Sequence, residues 1–446
     1  MPEPAPKPPS GPPTSARFPA LAVAVVAGVS ALVFASEIRD EPFVDEYAYI
    51  TQSYQPDALY AGMGNEAAWL DFLSFDLVPL PKYLINAAFR VTGTPRPGPY
   101  DAASWYRNTS SRWGTTRDLM IARLPFACCA VLGCAAICGL AGLTAGPRVM
   151  VLAGFALAMN PLFRLHAHRA MSEAPCEAFL ILALLLGLMG WTRWWSSRGL
   201  APAALPLWFA SGCCAGLSML AKFNGLLALF TMASWGVLGL ATARGASFAR
   251  RASLVAGVGL AIVSAAGTFV LLNPFMTAHP VGTPEPMRSL AEMGAISRFR
   301  FLIDQRRESS ASQQRMFAHN ALLGPLERAK VVAVQGLGRF GLLGPPKSDS
   351  TLRYDVQDLG ALLWMPLVLL GLVRAILLGR RQRIAGEPPT AWALVLWAAV
   401  SAAVVTLYIP MAWDRYLLPI QAPFAVLAAI PLREALGRLL LQPAES

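Results

Sequence analysis

Phe43-Val44-Asp45-Glu46-Tyr47-Ala48-Tyr49 stands a few residues beyond an apolar run, 18–36, and puts two adjacent carboxylates where a membrane helix would emerge. A crossing takes about 20 mainly apolar residues; the run has that length and ends in polar sequence. Taken alone, Asp45 and Glu46 have an ordinary reading. They would be acids that open a helix just outside the bilayer, where the helix N-terminus favours negative charge. The fold turns on whether the rest of the chain repeats this pattern of long apolar run and charged mouth.

It does. Hydrophobic residues make up 55% of the 446 and charged residues only 14%, against roughly 25% charged in a soluble domain. That excludes a string of soluble domains and indicates an all-α polytopic membrane protein. Further spans are expected at about 120–143, 149–163, 174–194, 205–220, 226–241, 252–275, 359–378, 391–410 and 416–432, about ten in all, with 149–163 short for a crossing. Two long polar stretches separate them, and within these the segments 77–89 and 322–334 read as amphipathic helices at the interface.

Basic residues in the short connections orient the chain. Arg148; Arg193 and Arg198; Arg244, Arg250 and Arg251; Arg374, Arg380, Arg381 and Arg383; and Arg433 and Arg438 all fall on one side if the N-terminus is cytoplasmic. This is the positive-inside pattern. The net charge of +11 therefore reads as topology; no basic stripe interleaved with aromatics marks a nucleic-acid footprint. The seven cysteines lie in or at the mouths of apolar runs, without metal-ligand spacing, and read as packing residues.

With orientation fixed, the informative residues are charges at the external mouths, where the rule expects few cations. They are Arg164, Arg169, Lys222 and Arg415, each at the mouth of a different span, joined by the acids Asp45, Glu46 and Glu173. Singly, each cation reads as a side chain snorkelling to headgroups. Gathered on one face they fit an anionic ligand bound at the outer leaflet. A phosphate would be held by Lys as a point charge and by Arg as a fork, and the carboxylates would face the rest of the ligand.

Local patterns then repeat in a familiar order. After Asp45-Glu46 come Val78-Pro79-Leu80-Pro81-Lys82-Tyr83-Leu84-Ile85, Ala122-Arg123-Leu124-Pro125, and Asn160-Pro161 with His166-Ala167-His168-Arg169-Ala170-Met171-Ser172-Glu173. Ala221-Lys222-Phe223-Asn224-Gly225, Asn273-Pro274-Phe275 and Asp414-Arg415-Tyr416-Leu417-Leu418-Pro419 follow. In this order and placement the chain resembles the GT-C superfamily of polytopic glycosyltransferases, in particular the branch with protein O-mannosyltransferases and the aminoarabinose transferase of lipid A. The resemblance covers about 18–280 and 411–423 and leaves 276–357 unmatched.

The resemblance implies a polyprenyl-phosphate-linked sugar as donor; a protein, glycan or lipid as acceptor; and transfer with inversion at the extracytoplasmic face of an inner or plasma membrane. It implies Asp45 as general base with Glu46 beside it, and Glu173 as a second acid where the family more often has Asp. Lys222, Arg415 and Arg169 are expected to hold the carrier phosphate, with Lys82, Arg123 and Tyr416 as further candidates. Some members of the family coordinate a divalent cation through these acids and others need none; if one binds here, magnesium or manganese would take Asp45 and Glu173 as ligands. The corresponding domain plan is a disordered cytoplasmic tail at 1–16; a transmembrane catalytic module at 17–275 with an external loop at 37–118; a second external loop at 276–357; three spans at 358–438; and a tail at 439–446.

A transporter and a non-catalytic protein that binds a lipid-linked sugar are the rival readings. Transporters place ionisable residues near mid-membrane, whereas here Glu177 is the main interior charge. Of the lesser features, Asn108-Thr109-Ser110 fits a glycosylation sequon and Gly336-Leu337-Gly338-Arg339-Phe340-Gly341 reads as flexible loop. Trp191, Trp194 and Trp195 read as an interfacial belt. His166 and His168 read as interfacial side chains, and Arg298, Arg300, Arg306 and Arg307 as a solvated helix face.

Overall fold

The computed structural model describes residues 17–95, 116–197, 200–243, 245–285, 287–339 and 359–441. The N-terminal tail, the Asn108 sequon, Arg198, Arg244, Phe340, Gly341 and residues 442–446 lie outside them. The described residues are helical and joined by turns, with one isolated antiparallel bridge, Ala321 to Met411. The helices that position the site are α1 (Arg17–Glu37), α2 (Val44–Thr51), α3 (Pro79–Thr92), α4 (Thr116–Ala145), α5 (Met150–Ala158), α6 (Pro161–Ala167) and α7 (Glu173–Ser196). They continue with α8 (Leu205–Ala221), α9 (Leu226–Thr242), α10 (Phe248–Leu271), α11 (Ala295–Met316), α12 (Leu359–Ile384), α13 (Thr390–Tyr408) and α14 (Leu418–Leu441).

Nine helices among the described residues are long and apolar enough to cross a membrane. The expected short third span is instead the bent pair α5 and α6, which meet at 67°. The cause is local. Pro161 has no N–H to continue a helix and pushes Asn160 into extended backbone, where Asn160 Oδ1 caps α6 by accepting from the Phe163 N–H at 3.0 Å. The Asn160 Nδ2 donates to Gln421 Oε1 of α14 at 2.9 Å, which ties the break to the most buried span.

Between spans, close backbone approach replaces large side chains. A Cβ added to Gly212 of α8 would lie 2.2 Å from the Ala261 carbonyl oxygen of α10, so only glycine fits that crossing. Leu21, Leu32, Val263 and Leu271 are exposed on the outer faces of their helices, as expected when lipid is the solvent. The connections collect at two ends. Thr390 Oγ1 to the Leu143 carbonyl, Trp195 Nε1 to the Gly386 carbonyl and Trp194 Nε1 to the Arg250 carbonyl join the basic end. Asp45, Glu173, Lys222 and Arg415 meet at the other.

Two expectations for the second polar stretch need correction. It holds a long polar helix, α11, and the Arg298 expected on a solvated face is fully buried. Its guanidinium donates to the carbonyls of Phe275 at 2.6 Å, Leu290 at 3.0 Å and Ala291 at 3.1 Å. Arg300 and Arg307 do face outward. The stretch read as a flexible glycine loop lies, over Gly336 to Arg339, in a π-helix, Val332–Arg339, packed so closely on α14 that a Cβ at Gly336 would meet Ile420 at 2.4 Å.

The entrance to the bundle is fixed by one ion pair. Arg123 of α4 and Glu46 of α2 have no exposed side-chain surface. The guanidinium fork donates from Nε to Glu46 Oε1 at 2.7 Å and from Nη2 to Oε2 at 2.6 Å. The remaining donors reach the carbonyls of Ile38 at 2.9 Å, Asp40 at 2.7 Å and Glu41 at 3.2 Å. All five N–H groups of the arginine are thus satisfied. Glu46 also accepts from the N–H groups of Phe43 and Ala170, both at 2.8 Å. Removing one partner of such a pair strands a buried charge, at a cost of about 3–5 kcal/mol. Arg123→Met should therefore lower the thermal unfolding midpoint in detergent sharply, with Arg123→Lys intermediate because ammonium lacks the fork; an unchanged midpoint in Arg123→Met would contradict this.

Candidate active site

A cavity of about 260 Å³ opens at the end of the bundle opposite the basic connections, near the lower end of the roughly 300–1,000 Å³ usual for small-molecule sites. Its floor is charged. Asp45 and Glu46 are neighbours in the first turn of α2 and so point in different directions: Glu46 into the core, Asp45 into the cavity. Arg415 Nη1 donates to Asp45 Oδ2. Arg415 stands in the turn Asp414–Leu417 that opens α14, where Asp414 Oδ1 accepts the Arg415 N–H at 2.7 Å.

Glu173 begins α7, and its Oε1 accepts from Lys222 Nζ at 2.8 Å. Lys222 sits in an extended break after α8, followed by the tight turn Phe223–Gly225. That turn demands glycine: a Cβ at Gly225 would lie 2.4 Å from the Met219 nitrogen. Burial pulls the Lys222 ammonium down, and the adjoining Glu173 carboxylate more than compensates, so its pKa is raised. The Tyr416 ring completes the floor, with the Lys222 ammonium 5.7 Å from its centroid.

Of the residues expected at the site, Asp45, Glu173, Lys222, Arg415 and Tyr416 line one cavity. Four others do not. Glu46 and Arg123 form the buried pair described above, because their charges satisfy each other and the surrounding backbone. Arg169 lays its guanidinium 4.4 Å over the Phe43 ring and is not among the residues that line the cavity. Lys82 is buried beneath it, donating to Gln55 Oε1 and the Ser74 carbonyl, both at 2.9 Å. His166 and His168 are buried within the protein. Burial first, then the Arg123 charge, pushes the His168 imidazole down to about 4, so it is neutral.

Sequence reasoning missed the cavity's other wall. The stripe Arg306, Ser309, Ser310 and Gln313 of α11 faces the cavity, while Asp304, Arg307 and Glu308 face out. Arg306 Nη1 pairs with Asp76 at 3.2 Å. The i, i+3, i+4, i+7 spacing was visible, but both faces of this helix are polar and no hydropathy contrast announced which one turns inward. Gln52 of α2 also lines the cavity and carries no distinguishing signal in sequence.

The nine long apolar helices among the described residues mark an integral, multi-pass membrane protein, and likeness to solved structures shows that it has the GT-C fold. The fold is shared with ArnT from Cupriavidus metallidurans in its apo state (TM-score 0.52, 16% identity, 94% of this chain and 62% of that chain). It is shared also with ArnT bound to undecaprenyl phosphate (0.50, 16%, 96% and 63%). The archaeal oligosaccharyltransferase AglB from Archaeoglobus fulgidus, in complex with an inhibitory peptide and a dolichol-phosphate, matches at TM-score 0.53 and 14% identity, over 95% of this chain and 51% of that chain. The present chain thus spans between about half and three fifths of the length of these structures. No protein-family model and no curated protein matches the sequence.

Lys82 supplies a test of the polar layer under the cavity. Burial pushes its ammonium down to about 7, with Asp76 opposing. Unfolded lysine titrates near 10.4, so between about pH 7 and 10 the unfolded chain binds the extra proton and stability rises with pH. The wild type should therefore gain thermal stability relative to Lys82→Met as pH is raised from 7 to 10. Parallel profiles for the two proteins would show that Lys82 is not desolvated.

Proposed function

We propose that the protein is an inverting glycosyltransferase that moves a sugar from a polyprenyl-phosphate carrier to an acceptor, with Asp45 as general base and Lys222 and Arg415 as the carrier-phosphate site. The observation that carries this reading is that two cations and two carboxylates from four different helix mouths line one cavity, each cation bonded to one acid. Solved proteins of the same fold hold undecaprenyl phosphate and dolichol-phosphate, which supports a lipid-linked phosphate as ligand. The positive-inside pattern supports an extracytoplasmic site in a cell inner or plasma membrane. Charge gathered at one end also favours this reading over a conduit.

The chemistry follows from the pairs. In the resting site Arg415 occupies the Asp45 carboxylate. An incoming phosphate competes for the guanidinium fork, and its arrival frees Asp45 to face the acceptor. The acceptor oxygen attacks the anomeric carbon as its proton passes to Asp45, and the bond from that carbon to the phosphate oxygen breaks on the opposite face. Lys222 and Arg415 stabilise the negative charge developing on the leaving phosphate, the kind of fixed electrostatic help that dominates such catalysis. Glu173 holds the Lys222 ammonium in place. The acceptor is a protein, glycan or lipid at the membrane surface.

A divalent cation, where one binds, would have Asp45 and Glu173 on the cavity lining as its oxygen ligands. One structure of the archaeal enzyme is a complex with Zn and sulfate. In this chain, however, no three His, Cys, Asp or Glu side chains among the described residues converge as ligands, and Asp45 and Glu173 already bond cationic side chains. No step is assigned to a metal.

Asp45→Asn should cut transfer from a polyprenyl-phosphate sugar by about 10²–10⁴-fold, the usual contribution of a positioned base, while carrier binding persists. Lys222→Ala or Arg415→Ala should weaken carrier binding about 10- to 100-fold, as expected for lost charged hydrogen bonds. Radiolabelled sugar transfer in liposomes, with carrier binding measured in parallel, checks both. Wild-type turnover in Asp45→Asn would remove Asp45 as base, and an unchanged carrier affinity in both cation variants would remove the phosphate site.

A further inference from the structure

The cavity has a second wall that the transfer chemistry does not use. Gln52 is 5% exposed, lines the cavity, and its Oε1 has no hydrogen-bond partner among the described residues. A buried carbonyl oxygen left without a donor is costly, and a ligand hydroxyl is the donor that suits it. Also lining the cavity are Ser309, Ser310 and Gln313 of α11, half-buried, whose side chains bond no other described residue. The one charged group on this helix face, Arg306, is closed on Asp76 through both its side chain and its backbone carbonyl.

From this we infer that Gln52 and the stripe Ser309, Ser310 and Gln313 form the glycosyl subsite, and that it takes an uncharged, hydroxyl-rich sugar. The inference rests on the transfer reading above and names the substrate class for it. Hydroxyls and amides both donate and accept, which matches a ring carrying several hydroxyl groups. Among the described residues, Gln52, Ser309, Ser310 and Gln313 offer neither a cation to a uronate nor a carboxylate to an amino sugar, and either charge beside them would be desolvated without compensation. Specificity built from such hydrogen bonds is strong because the wrong ligand leaves buried polar groups unpaired.

The test measures binding to the full chain in nanodiscs. The probes are undecaprenyl phosphate alone and the same carrier loaded with neutral hexoses, a neutral pentose, a uronate or an amino sugar. The wild type should bind at least one neutral-sugar carrier about tenfold or more tighter than the bare carrier, and neither charged-sugar carrier tighter than the bare one. Gln52→Leu, Gln313→Ala and the double variant Ser309→Ala/Ser310→Ala should each lose most of that preference while keeping bare-carrier affinity within about twofold. A merely structural wall would lower both affinities together, and that result overturns the subsite. So would tightest binding of a uronate or amino-sugar carrier, or a preference unchanged by all three variants. If bare undecaprenyl phosphate does not bind the wild type, the transfer reading fails and this inference with it. Bare-carrier binding with no sugar preference defeats the subsite alone.

Discussion

The Glu46–Arg123 pair is the constraint on which the entrance to the bundle depends. An arginine wholly removed from solvent must satisfy five donors, and Arg123 does so by gathering the carbonyls that follow α1 and the carboxylate at the start of α2. Through the Ala170 N–H, Glu46 adds the loop before α7. Four segments are thereby held at one point. Because Asp45 is the next residue on α2, its direction into the cavity is set by the burial of its neighbour.

The charged floor of the cavity has a different electrostatic character. Its pairs are partly open to solvent, and each joins the end of one helix to another: α2 to the turn before α14 through Asp45 and Arg415, α7 to the break after α8 through Glu173 and Lys222. Such pairs can exchange partners, which the fully enclosed Glu46–Arg123 pair cannot do without leaving a charge buried. Two adjacent acids of the same helix turn thus have different surroundings, Glu46 wholly enclosed and Asp45 on the cavity. The interruptions that bring the mouths together have local causes: proline after Asn160, and a glycine without room for a side chain at Gly225.

The second polar stretch closes the cavity over this floor. Buried Arg298 fixes the start of α11 by collecting carbonyls from the segment after α10, and Arg306 fixes its middle on Asp76. Asn65 Nδ2 donates to the His279 carbonyl at 3.1 Å, joining the first polar stretch to the second. Through these contacts the neutral stripe of α11 is held against the same cavity as the charged residues.

By itself the sequence determined the membrane class, nearly all the spans, their alternation of basic ends, and five residues that meet at the cavity: Asp45, Glu173, Lys222, Arg415 and Tyr416. These were legible because the bilayer imposes a length on every apolar run and makes each charge at a helix mouth conspicuous. Tertiary structure alone decided that Glu46 and Arg123 pair in the core while Lys82 and Arg169 stand outside the cavity lining, that the third span breaks at Asn160, and that Gln52 and one face of α11 line the cavity. A charge in sequence does not carry its partner with it: Glu46 and Arg123 are 77 positions apart, and Asp45 and Arg415 are 370 apart. Nor does a helix polar on both faces announce which face turns inward. Only packing supplies those distances and that choice.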